Sequence, residues 1–200
     1  MKRRGRHRSC GARPLCEYHE TESPSVTGNG SRQPIDWSAD MLISKELNAA
    51  MNEEIGLELF ASHQYLNIAA YFERLALKKL AKMFFKQADE EREHAMKFIH
   101  YVVETGGTVE VPQVAAPKPG FASVEEAIKY SLDWEIEVTN RCNAIMTIAV
   151  DQKDYAAQDF MRWFVTEQVE EVSTMQTLLQ VVQSAGERNL FMLEAYLSHE

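Results

Sequence analysis

Apolar positions recur at helical spacing through four long segments of the chain. In the first, after the N-cap residue Ser44, the positions Leu47, Met51, Ile55, Glu58, Ser62, Tyr65, Ala69 and Phe72 step by three and four. That spacing lays side chains along one face of a helix. A second stripe runs Leu80, Phe84, Gln87, Glu91, His94, Phe98, Tyr101, and Gly106-Gly107 stops it. A third begins at Ser123, with Glu126 in the capping-box position, and runs Ile128, Ser131, Glu135, Val138, Cys142, Ile145, Ala149. The fourth runs Met161, Phe164, Gln168, Glu171, Met175, Leu178, Val182 and ends at Gly186. A short fifth segment, Leu190 to Leu197, has its own apolar cluster. No β-alternation of useful length occurs, so the pattern predicts an all-α fold.

The linkers predict how these helices connect. The first and second meet across Ala76-Leu77-Lys78, and the third and fourth across Asp151 to Asp154, so each pair reads as an antiparallel hairpin. Between the hairpins, Gly107 to Ala122 is rich in Pro and Gly and cannot be helical. Extended, a linker of this length reaches at most roughly 55 Å. A helix of some 28 residues spans roughly 42 Å. The linker can therefore cross the whole bundle and leave helices two and three parallel.

All four stripes are interrupted near their middles by acids or metal-ligating groups: Glu58; Glu91 with His94; Glu135; Gln168 with Glu171. A carboxylate on a core face costs several kcal/mol to desolvate unless something compensates. No Arg or Lys lies on these stripes, so the converging carboxylates would repel one another unless cations sit between them. Oxygen-rich sites with one imidazole suit iron, manganese or zinc. Glu91-x-x-His94 puts both side chains on one face. Alone it is a weak signal and reads first as a core histidine beside a solvated acid. With a mid-stripe Glu on each of helices one and three, it reads as a metal centre.

Charge and composition narrow the class. The net charge is −9. Of the 21 basic and 30 acidic residues, seven and five fall in residues 1–40, which leaves residues 41–200 a net of −11. An acidic body argues against a nucleic-acid surface and suits the attraction of cations. No run of apolar residues is long enough to span a membrane. Residues 1–40, Arg-rich and then rich in Ser, Thr, Gly and Pro, show no helical or strand period and read as a disordered extension. Met41 opens the periodic part and is a candidate initiator. Three cysteines make no disulfide framework, and no secretory h-region precedes the helices, so a cytoplasmic location is expected. His7, Cys10, Cys16 and His19 lack the regular spacing of a zinc finger.

The segments Leu57-Glu58-Leu59-Phe60-Ala61-Ser62, Ala88-Asp89-Glu90-Glu91-Arg92-Glu93-His94-Ala95-Met96 and Trp163-Phe164-Val165-Thr166-Glu167-Gln168 closely resemble the prokaryotic haem-free ferritins over residues 41–200. The resemblance implies a ferritin-like four-helix bundle with one long crossover and a short fifth helix lining a four-fold axis. It implies that Glu58, Glu91 and His94 bind one iron. It also implies that Glu91 bridges to a second iron held by Glu135, with Gln168 beside it. Glu90, Glu167, Glu170 and Glu171 match acids that form a third iron site in some members, and Tyr65 and Trp163 match aromatics near the iron pair. Read as residues alone, Tyr65 and Trp163 are core packing first and redox partners second. Cys142 reads as a small buried hydrophobe, and His63 and His100 as surface or packing residues.

Departures from related families sharpen the expectation. Helix four carries no histidine, so the second Glu-x-x-His of bacterioferritins and many di-iron oxygenases is missing. Arg92 stands where haem-binding bacterioferritins place a Met after the ligand Glu, which argues against haem. The resemblance implies an enzyme: a ferroxidase subunit that oxidises Fe(II) with oxygen or peroxide and stores ferric mineral in a homo-oligomeric shell of twenty-four copies. Such a shell needs partly apolar outer faces, for which Tyr71, Phe72 and Leu75 are candidates. A light-chain-type shell subunit would lack the site acids, and a mini-ferritin would lack the fifth helix.

Overall fold

The computed structural model describes residues 42–186 and 189–197. The disordered reading of residues 1–40, the initiator reading of Met41 and the His7–His19 cluster lie outside the described residues. Within them the fold is helical throughout: α1 (Lys45–Arg74), α2 (Lys78–Glu104), α3 (Val124–Asp151), α4 (Tyr155–Ala185) and α5 (Leu190–Tyr196).

Local chemistry sets these bounds. Ser44, Ser123 and Asp154 each accept a hydrogen bond from the backbone N–H three residues on, capping α1, α3 and α4. The Glu126 carboxylate reaches back to Ala122 N at 2.6 Å, close to the capping box that the spacing predicts. At the end of α2, Gly106 N bonds Val103 O and Gly107 N bonds Val102 O, a Schellman motif with Gly106 at φ 77°. The two hairpin turns use the same motif with less suitable residues: Ala76 at φ 59° and Lys153 at φ 57°. The N-terminus of α2 has no side-chain cap of its own. Glu194 of α5 supplies one, accepting from Lys79 N at 2.9 Å and Leu80 N at 3.0 Å. With the buried Leu193, this contact docks α5 on the bundle.

The crossover is tied along α1. Thr108 N donates to Asn48 Oδ1 at 2.9 Å, Glu110 N to Asn52 Oδ1 at 2.8 Å and Lys118 N to Gln64 Oε1 at 2.7 Å. Residue numbers rise together on both sides, so the linker runs parallel to α1 from the end of α2 to the start of α3. Helices α2 and α3 are thereby parallel, as the linker length predicts. The linker lies close enough that a Cβ on Gly56 would collide with Pro112 Cγ.

Helices α1 and α2 pack as one hairpin, α3 and α4 as the other, and α1 meets α3. Two apolar clusters fill the bundle. One gathers Phe72, Leu80, Phe84, Ile128, Met175 and Leu178, and the other Leu47, Met51, Phe98, Ile145, Met161 and Phe164. The acids of the stripes lie between them. One expectation needs correction: Phe72 is fully buried and Tyr71 nearly so, because both pack into the first cluster. Of the three proposed outer residues only Leu75, 45% exposed, faces outward. Among the described residues no helix is long and apolar enough to cross a membrane.

Candidate metal centre

Mid-bundle, every helix of the two hairpins contributes a buried polar side chain. Glu58 on α1, Glu91 and His94 on α2, Glu135 on α3, and Gln168 and Glu171 on α4 are all buried. The ligand atoms of Glu58, Glu91 and His94 lie within 4.8 Å of one another. His94 turns Nδ1 towards the acids, 3.2 Å from Glu91 Oε2 and 3.9 Å from Glu58 Oε2. Both Glu58 oxygens are buried without any hydrogen-bond partner. A buried carboxylate left this way is costly unless a cation or a proton meets it.

Glu135 is held from two sides. The Tyr65 hydroxyl donates to its Oε1, and the Gln168 amide bonds it as well. The Thr139 hydroxyl, 3.0 Å from Gln168 Oε1, orients that amide. On the α2–α4 side, the Gln87 amide bonds Glu171 and stands 3.4 Å from Glu91 Oε1. Ser62 Oγ donates to Ala88 O at 2.6 Å, clasping α1 to α2 beside the centre.

Without a metal, the cluster holds protons. Burial, and then the neighbouring Glu91, push Glu58 and Glu135 well above the ordinary carboxylate range. Burial raises Glu171 to about 7. His94 is opposed by its burial, but the Glu91 carboxylate outweighs this and raises its pKa. A divalent ion that replaced these protons would release them.

A second group, His94, Glu167 and Glu171, also brings its ligand atoms within 4.8 Å. Glu167 is half-buried. Glu90 lines the same cleft of about 190 Å³ and pairs with Lys86 Nζ at 2.6 Å. Glu170 is exposed at its rim. Tyr65 is buried against Glu135, whereas Trp163 is 39% exposed. The Trp163 ring meets the His94 ring edge-on at 5.4 Å and carries Lys97 Nζ over its face at 4.2 Å. Cys142 is buried, and His63 and His100 are exposed.

Residues 48–185 match the ferritin-like domain family. The chain belongs to the ferritin family. Ferritin BfrB of Mycobacterium tuberculosis is 39% identical over 155 residues, covering 78% of this chain and 85% of that protein. The bacterial non-heme ferritin of Staphylococcus aureus is 39% identical over 146 residues, covering 73% and 88%. Among solved structures, the open pore ferritin of the hyperthermophilic archaeon Archaeoglobus fulgidus superposes with a TM-score of 0.76 at 32% identity, over 80% of this chain and 98% of that one. This iron-storage family matches the resemblance read from the three motif segments.

One buried acid escaped the sequence reading of this ferritin chain. Glu54 on α1 is fully buried, with burial raising its pKa to about 7. It lies one turn before Glu58, between the stripe positions Met51 and Ile55, and that offset was the available signal. Glu53 lacks that spacing, and it faces outward.

Proposed function

We propose that this chain oxidises Fe(II) at an intra-subunit two-iron centre and stores the product as ferric mineral. Glu58, Glu91 and His94 hold one iron; Glu91 and Glu135 hold the other, with Gln168 beside it. Glu90, Glu167 and Glu171 form a third iron position. The observation that carries this reading is the convergence of the Glu58, Glu91 and His94 ligand atoms within 4.8 Å, with both Glu58 oxygens lacking a partner.

Iron is here the substrate. Anionic oxygen ligands stabilise Fe(III) relative to Fe(II), which favours oxidation, and two adjacent ions can deliver two electrons to one oxidant. Protons held at Glu58, Glu135 and His94 leave as the Fe(II) substrate binds. Glu135 is kept in register by Tyr65 and Gln168, so the second iron position is set before iron arrives. With an amide where a stronger ligand could stand, the second iron is loosely held and can move on to the mineral.

The working protein is a hollow cytoplasmic shell of twenty-four copies, without haem. Exposed large apolar side chains on the bundle, such as Val103, Tyr155 and Val169, support burial between subunits. Light scattering should find a particle of hundreds of kilodaltons; a stable dimer would overturn the shell.

The test of the centre is Glu91→Ala mixed anaerobically with Fe(II) and then with oxygen in a stopped-flow cell. Paired oxidation should be lost. The metal-free variant should melt at or above the parent temperature, since replacing a buried charge by an apolar group is often neutral or stabilising. Oxidation at the parent rate would place the chemistry elsewhere.

A further inference from the structure

Next to the iron centre, the bundle buries a carboxylate and a thiol, Glu54 and Cys142, that the proposed chemistry does not use. Glu54 Oε1 stands 3.8 Å from Cys142 Sγ, bringing a carboxylate of α1 and a thiol of α3 face to face in the core. Both residues are essentially inaccessible to solvent. Glu54 Oε2 has no hydrogen-bond partner, and neither does either oxygen of Glu58, one turn further along the same helix. Three of the four unpartnered buried side-chain oxygens and nitrogens among the described residues thus belong to this adjacent pair of acids. Native cores rarely leave such atoms unsatisfied unless an ion or water meets them.

We propose that Glu54 and Cys142 form a site for a divalent cation of the zinc class next to the iron centre, with Glu58 as a carboxylate the two can share. The spacing suits it. Zinc-class ions bind thiolate at about 2.3 Å and carboxylate at about 2.1 Å with near-tetrahedral angles, which sets the sulfur and oxygen roughly 3.6 Å apart. The observed separation is 3.8 Å, so one ion can bridge the two atoms with little movement of either helix. The donor set of one sulfur and carboxylate oxygens also differs in kind from the oxygen and imidazole donors of the iron centre. Thiolate selects a softer ion than carboxylate does.

Charge supports the same occupant. Arg141 Nε stands 4.0 Å from Glu54 Oε2, while its guanidinium also bonds the exposed Glu53. Two carboxylates and a thiolate carry three negative charges. A divalent ion offsets two of them, whereas the single Arg141 cation is shared with Glu53 and cannot. In the metal-free protein, burial and the neighbouring Glu54 keep the Cys142 thiol protonated. A metal ion is what would displace that proton. Glu91 and His94 are not donors here, and Glu58 is the one residue shared with the iron centre.

The experiment uses Co(II) as the probe and reads the near-ultraviolet charge-transfer absorption that only thiolate-bound Co(II) gives. The full-length chain carrying Cys10→Ser and Cys16→Ser leaves Cys142 as the single thiol. Titration should develop the band to one ion per subunit, and Zn(II) should abolish it. Adding Cys142→Ala should remove the band, and adding Glu54→Gln should weaken Co(II) binding at least tenfold. Adding Glu91→Ala should leave the band in place. Thermal melts of each metal-free variant check that it folds, and Cys142→Ser replaces Cys142→Ala if the latter melts early. No band in the single-thiol protein, or a band that survives Glu54→Gln at full affinity, would overturn the site.

Discussion

The Tyr65 hydroxyl on α1 donates to Glu135 Oε1 on α3, joining the two hairpins through the middle of the proposed iron centre. Both groups are buried, and the Gln168 amide is the carboxylate's other named partner. Tyr65→Phe removes the hydroxyl without opening a large cavity. Losing a donor to a buried acceptor costs about 1–3 kcal/mol, so the metal-free variant should melt several degrees below the parent. Oxidation in the stopped-flow assay should slow, because Glu135 loses one of the two groups that position it. A parent-like melt together with a parent-like rate would show that the contact does nothing for either.

The buried acids make metal-free stability depend on pH. Glu171 has its pKa raised from 4.5 to about 7 by burial, with Glu91 adding to it. Below 4.5 both the folded and unfolded chains hold this proton, and there is no penalty. Between 4.5 and about 7 the unfolded chain releases a proton that the folded chain keeps, so stability falls as pH rises. Above that window the loss levels off. Each pKa unit corresponds to about 1.4 kcal/mol, so this group alone costs on the order of a few kcal/mol at neutral pH. The raised pKa of His94 acts in the same direction, contributing stability at low pH that is lost as pH rises. Glu171→Gln should therefore match the parent near pH 4.5 and exceed it increasingly up to about pH 7. Melts of the metal-free pair across this range decide it, and a constant gap would refute the argument.

Gly56 lies in the middle of α1, where helix propensity alone would favour Ala by about 1 kcal/mol. The crossover reverses the sign, since a Cβ there would run into the Pro112 ring, which cannot swing aside as a flexible side chain could. Overpacking of this kind costs about 1–3 kcal/mol, so Gly56→Ala should be net destabilising. Adding Pro112→Ala should restore most of the loss in a double-mutant cycle of melting temperatures. Independent, additive effects would mean that the two residues do not meet.

Lys153 turns α3 into α4 in the left-handed region, at φ 57°, with its side chain exposed. A non-glycine residue pays roughly 1–2 kcal/mol for that conformation. Lys153→Gly should raise metal-free stability by about 1 kcal/mol, read as a higher denaturant midpoint at unchanged slope. Lys153→Val, with a β-branched side chain at the same φ, should lower it.

The helices, their stops and the site acids on their stripes were legible in the sequence because each depends on near neighbours. Spacings of three and four residues place Glu58, Glu91, His94, Glu135, Gln168 and Glu171 on inward faces. Ser44, Ser123, Asp154 and Gly106 mark ends through bonds that span at most five residues. The Pro-rich linker could be read as a crossover from its length alone. What only the tertiary structure decided is how much of each helix is covered. Helix α1 is packed by α2, by α3 and by the crossover, so its buried arc extends beyond the stripe to Asn52, Glu54, Gln64 and Tyr71. A single apolar stripe shows where one neighbour lies, and the second and third neighbours leave no local signal. For that reason Tyr71, off the stripe, belongs to the core, whereas the burial of Phe72 follows from its stripe position although both were also named as outer-face candidates. The same coverage buries Glu54 against Cys142, 88 residues away along the chain, where no spacing rule could pair them.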